Sequence, residues 1–230
     1  MIVWLASYPR SGNTLTRILL NRGFGIKTHS LYDDRHDIGA RPALSNIVGH
    51  INHGMEPLQF CEYARKSDKI FFVKTHELPD DDAKTIYVVR DGRAAIVSYY
   101  HFSRFFSRPD TSLTDIVTGK DWPGAWSAHV DAWAPNRRPN TLKLRFEDLV
   151  TESTSALRRI AEFVGLPEPR NAPVHFSELH AEFPKFFRCG SNEENIAELT
   201  GEDLKLFWTL HGRTMQRMGY PDRDGIKTAA

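Results

Sequence analysis

Lys74 and His76 stand two residues apart at the end of the apolar run KIFFVK. On an extended chain that spacing puts a fixed charge and a proton-transfer group on one face. Arg10 lies within the turn SYPRSGNT. There, successive backbone N–H groups at the start of a helix, Gly12 for close approach, and the hydroxyls of Ser11 and Thr14 form an anion trap. Arg90 occupies a second turn of the same kind, RDG, where another anion can bind. Ser98 follows Asp91 by about two helical turns and therefore shares the face of that helix start. Cations at two turns, with a base beside them, suit chemistry on a group carrying more than one anionic centre.

These side chains need elements that bring them together. Ile2 to Ala6 suits a buried parallel strand, and Thr14 to Leu20 suits a helix with Leu15, Ile18 and Leu19 on one face. Lys69 to Lys74, Thr85 to Val89 and Thr141 to Phe146 read as further strands. The repetition of strand, charged turn and helix predicts an α/β fold of three layers, a central and mainly parallel β-sheet flanked by helices, with the turns gathered at one edge. Set against G-x-x-x-x-G-K-[ST], Ser7 takes the first Gly position, Gly12 the second, Asn13 the Lys position and Thr14 the hydroxyl position. The loop is thus P-loop NTPase-like with its cation moved to Arg10. That argues against an ordinary nucleotide triphosphatase, because the lysine that reaches the β- and γ-phosphates is missing. A helix-capping turn without ligand is the plainer alternative for this stretch alone.

Composition narrows the classes. A chain of 230 residues with 40% hydrophobic content predicts one domain over residues 1–230. The net charge of +1 gives no global case for nucleic acid or an anionic membrane. Cys61 and Cys189 make no disulfide framework, and no Cys/His grouping has zinc spacing. With no long apolar run, the expectation is a soluble, cytoplasmic protein.

Between the candidate turns, residues 26–54 read as a polar loop containing His29, His36, His50 and His53, and acceptor contacts are expected here. The irregular spacing of these histidines favours solvated or substrate-facing residues over a metal site. Residues 56–66 read as an amphipathic helix, 80–82 as an exposed acidic turn, and 107–124 as a loop. A short helix is expected over Trp126 to Trp133; Trp122, Trp126 and Trp133 either line an acceptor pocket or belong to the core. Ser153 to Val164 carries an apolar stripe of Leu157, Ile160, Ala161 and Val164. Thr200 with Asp203 resembles a capping box for a last helix ended by Gly219, and the tail from Asp222 is expected to fray.

Several segments also resemble a known family. YPRSGNTL is similar to the 5′-phosphosulfate loop of sulfotransferases that use 3′-phosphoadenosine 5′-phosphosulfate (PAPS), VVRDGRAAIVSYYHF to their 3′-phosphate segment, and KTHELP to the segment bearing their catalytic Lys and His. The likeness continues through LRFEDLVTESTSALRRIAEFVGLP to FFRCG and is nearest the soluble small-molecule branch. It implies sulfuryl transfer from PAPS to a hydroxyl or amine of a small-molecule or sugar acceptor, with His76 as base, Lys74 and Arg10 as catalytic cations, and no metal required. It further implies a donor site of Arg10, Ser11, Gly12, Asn13, Thr14 and Leu15 at the 5′ end. Arg90, Ser98, Arg188 and Gly190 would lie at the 3′-phosphate, and Phe146 and Phe176 at the adenine.

The chain departs from that branch in three places: Arg10 replaces its usual Lys, Phe146 its usual Tyr, and SNEEN lacks the second Gly and the Trp expected after the Arg-x-Gly. A homodimer is left open, because no version of the family's C-terminal dimer motif is found. Two rival classes remain. A P-loop kinase would use Asp91 as a metal-holding carboxylate, and a non-catalytic adenosine bisphosphate-binding module would need no His76.

Overall fold

A computed structural model describes residues 1–32, 38–170, 174–188, 191–220 and 222. Strand β1 (Ile2–Ser7) is buried along its whole length and leads through the SYPRSGNT turn into helix α1 (Asn13–Phe24). The chain continues through β2 (Thr28–Ser30), α2 (Pro42–Val48), α3 (Pro57–Lys66), β3 (Phe71–Thr75), β4 (Lys84–Val89) and α4 (Gly92–Phe106). It then forms α5 (Leu113–Thr118), α6 (Trp126–Trp133), β5 (Thr141–Arg145), α7 (Phe146–Thr151) and α8 (Ser153–Val164). Helices α9 (Phe176–Glu182), α10 (Asn192–Glu198) and α11 (Gly201–Arg217) complete it.

The five strands form one parallel sheet in the order β2-β3-β1-β4-β5. In β1, Val3 and Leu5 face a core built with Leu19 and Leu20 of α1 and Leu157, Ile160 and Val164 of α8. Trp4 and Ala6 point the other way, onto Phe60, Ala95, Trp126, Trp133, Phe207 and Trp208. The strand alternation therefore feeds two layers of helix, one on each face. A smaller core of Ile18, Leu44, Val48, Leu179, Phe186 and Phe187 ties α1 and α2 to the C-terminal segment.

Several expectations need correction. The polar stretch over 26–54 contains β2 and α2, and β2 has only three residues, too few for an alternation pattern to show. Its described histidines pack: His53 stacks on Phe60 with ring centroids 4.0 Å apart, His29 lies against Phe60 and Phe71, and His50 bonds Arg17. His36 lies outside the described residues, as does the tail beyond Asp222. Residues 107–124 hold α5, whose capping box uses Ser112 and Asp115. The box expected at Thr200 and Asp203 does not form; the Asp203 carboxylate instead accepts from the Thr114 hydroxyl at 2.7 Å. In the acidic turn, Asp81 accepts from the indole N–H of Trp4 at 2.9 Å and from Arg65 at 2.8 Å, pinning the turn to β1 and α3. Among the described residues, no helix is long and apolar enough to cross a membrane.

Candidate active site

The carboxyl ends of β1, β3 and β4 lie side by side because Leu5 pairs with Lys74 and Ser7 with Val88. Each strand delivers its turn to one crevice, the position where open α/β sheets bind ligands. A cavity of about 590 Å³ opens there. It is lined by Arg10, Gly12, Asn13, Thr14 and Leu15 of the first turn, Lys74 and His76 after β3, Arg90 and Ser98 after β4, and Phe146, Phe176 and Arg188. Ser11 lies just behind this lining, and Gly190 is outside the described residues. Sequence positions nearly 180 apart thus meet in one cleft.

The first turn is shaped by its backbone. Arg10 has φ 62° and Gly12 φ 111°, left-handed values that let N–H groups converge. A Cβ on Gly12 would come within 2.8 Å of Phe146, so the close approach requires glycine. Asn13, in the register of the P-loop lysine, spends its side-chain N–H on the Leu5 carbonyl at 2.7 Å and fixes the helix to the strand. Ser11 is 1% exposed, yet its hydroxyl has no partner among the described residues. A buried hydroxyl that is left to find an acceptor, beside converging N–H groups, fits an oxyanion.

His76 is half-buried. Its Nδ1 lies 2.7 Å from the Ser7 carbonyl, which can only accept, so Nδ1 holds the proton and Nε2 the lone pair. Burial, reinforced by the neighbouring Lys74 charge, holds the imidazole well below its usual pKa. The ring is neutral at pH 7 and suited to accept a proton. His129, fully buried, supports it: His129 Nε2–H donates to the His76 carbonyl at 3.1 Å, while Nδ1 accepts from the Tyr87 hydroxyl at 2.9 Å. Tyr32 lies parallel to the His76 ring, and its hydroxyl accepts the His76 backbone N–H at 2.6 Å. The Lys74 ammonium sits 5.6 Å from the Tyr32 ring centroid.

The Arg10 guanidinium reaches across to α4 and the C-terminal segment. It donates to Ser98 Oγ at 3.3 Å and to the Phe186 carbonyl at 2.6 Å, between the rings of Phe102 and Phe186. Arg90 packs over the Phe146 ring at 4.3 Å and donates to the Arg10 carbonyl at 3.0 Å. Asp91, the carboxylate a kinase would need for metal, is buried against Arg93, with Oδ2 2.8 Å from Nη2. Of the three tryptophans, Trp126 and Trp133 belong to the core and only Trp122 reaches the cleft. Tyr32, Tyr99 and Phe102 also line it. Tyr32 falls in the stretch expected to meet the acceptor; nothing in the sequence alone singled out Tyr99 or Phe102 as lining the cleft.

A model of the sulfotransferase domain matches residues 2–202. Sulfotransferase 1A1 of Mus musculus is 30% identical over 200 residues, covering 80% of this chain and 66% of that protein. Sulfotransferase 2B1 of Homo sapiens is 25% identical over 183 residues, covering 74% of this chain and 48% of that protein. The chain spans about half the length of several such relatives. In fold it is similar to mouse sulfotransferase SULT7A1, solved in complex with PAP, at TM-score 0.66 and 19% identity, over 96% of this chain and 84% of that one.

Proposed function

The chain belongs to the sulfotransferase family, and from that premise we propose that it moves a sulfuryl group from PAPS to a hydroxyl or amine of a small-molecule or sugar acceptor. The observation that carries this reading is the cleft itself. It joins a neutral, oriented imidazole and a buried ammonium to two groups of cationic and hydroxyl side chains. A binding module needs no such base.

In this reading the N–H groups of the first turn and the hydroxyls of Ser11 and Thr14 hold the 5′ end of the donor. Arg90, Ser98 and Arg188 hold the 3′-phosphate, and Phe146 and Phe176 flank the adenine. The donor supplies an electrophilic sulfur and a stable bisphosphate leaving group. His76 Nε2 takes the proton of the acceptor, a role worth typically ~10² to 10⁴ in rate. Lys74 stabilises charge developing on the leaving oxygen and can return a proton there. Arg10 contributes charge and hydrogen bonds alone, because a guanidinium is a poor proton donor. Tyr32, Tyr99 and Trp122 offer the acceptor an aromatic wall.

Calorimetric titration with adenosine 3′,5′-bisphosphate (PAP) tests the donor half of this reading. Arg90→Ala is expected to weaken PAP by at least about tenfold, the effect of removing a charged hydrogen-bond donor, and to leave adenosine 5′-phosphate nearly unchanged. Equal PAP affinity in variant and wild type would remove Arg90 from the site.

A further inference from the structure

The stretch SNEEN departs from the family pattern, and its geometry gives it work to do. Ser191 caps α10, its Oγ accepting the Glu194 N–H at 3.2 Å. The helix so started places Asn192 and Asn195 three residues apart on one face. Each meets a different arginine of the cleft. Arg90 Nε donates to Asn192 Oδ1 at 2.8 Å, and Arg188 Nη2 donates to Asn195 Oδ1. Asn195 is 1% exposed and Arg90 4%.

Both amides are fixed from behind. Asn192 Nδ2 donates to Glu147 Oε1 at 2.6 Å, and the other oxygen of Glu147 accepts from the Tyr220 hydroxyl at 2.8 Å. Asn195 Nδ2 donates to the Ser191 carbonyl at 3.2 Å. Amide orientation is therefore set: oxygen toward the arginine, nitrogen toward an acceptor. Arg188 also bonds Glu198, itself bonded to His101, at the exposed rim.

We propose that Asn192 and Asn195 are positioning residues that set the spacing of Arg90 and Arg188 for the 3′-phosphate, and that Asn192 keeps Arg90 selective by being neutral. A carboxylate directly on Arg90 would hold it as well but would cancel its charge and repel a phosphate. The amide transmits the hold of Glu147 while keeping that charge one residue away. This rests on the assignment of Arg90 to the 3′-phosphate.

The test is calorimetry with PAP and adenosine 5′-phosphate on wild type, Asn192→Ala, Asn192→Asp and Arg90→Ala, with Tm measured for each. Asn192→Ala is expected to weaken PAP by about tenfold and Asn192→Asp by more, the order a charge effect dictates, while adenosine 5′-phosphate stays within about twofold. Should the Asp variant fail to fold, Asn192→Ala with Asn195→Ala makes the same comparison between the two nucleotides. Unchanged PAP affinity in the Asn192 variants, or equal losses for both nucleotides, overturns the proposal. If Arg90→Ala itself leaves the preference for PAP intact, it is the 3′-phosphate assignment that falls.

Discussion

At the scale of single residues, His76 is the group whose protonation state governs the proposed reaction. The Ser7 carbonyl fixes its tautomer, and burial together with Lys74 lowers its pKa. A base with a depressed pKa stays unprotonated through pH 6.5 and is lost only when the pH falls to that lower value. The kcat/KM profile is therefore expected to be flat between about pH 6.5 and 8, with its acid limb below 6.5. A limb centred at or above 6.5 would show that the titrating base is another group, or that His76 is solvated when acceptor is present. That Lys74 and His76 share one cleft was legible from their spacing of two, although β3 ends at Thr75 and His76 lies one residue past it. The partners of Arg10 were not. A long side chain at a left-handed backbone position can be sent either toward the turn or across it, and here packing between Phe102 and Phe186 sends it across.

At the scale of elements, most strands and helices with strong periodicity were readable to within a residue or two: α6 and α8 match their expected bounds, α1 runs four residues past its expected end at Leu20, and β2, α2, α5, α7, α9 and α10 were missed. The missed pieces are short and owe their existence to tertiary contacts, so little pattern is available to read. Helix α4 shows the stakes of one terminus. Asp91 caps it by accepting the Arg93 N–H at 3.0 Å and pairs with the Arg93 guanidinium, with both side chains 7% exposed. Removing one member of a buried pair strands the other, so Asp91→Ala is expected to cost about 3 kcal/mol and lower Tm by about 10 °C. Thermal unfolding measures it. A Tm within about 2 °C of wild type would mean that the pair contributes little net stability. Arg90 precedes this terminus and Ser98 lies inside the helix, so the cap helps to place both of these cleft residues.

At the scale of the whole molecule, a sheet in the order β2-β3-β1-β4-β5 explains why turns far apart in sequence act together. The chain leaves β1 to one side and returns on the other, so the turns after β1, β3 and β4 face one crevice. The fold, and the meeting of the turn residues in one cleft, could be read from the sequence because turns of this kind have recognisable composition. The aromatic part of the cleft could not, since it is assembled from side chains of unrelated segments, Tyr32, Tyr99, Phe102 and Trp122. Under the proposed function, this one cleft performs sulfuryl transfer with His76 as base. The most direct test follows radiosulfur from labelled PAPS into a panel of phenols, alcohols, amines and sugars, with wild type and His76→Ala side by side. The expected result is transfer by wild type, a loss of about 10² to 10⁴ in kcat for the variant, and PAP affinity preserved. Equal turnover by the two proteins, or consumption of ATP with PAPS left intact, would contradict it.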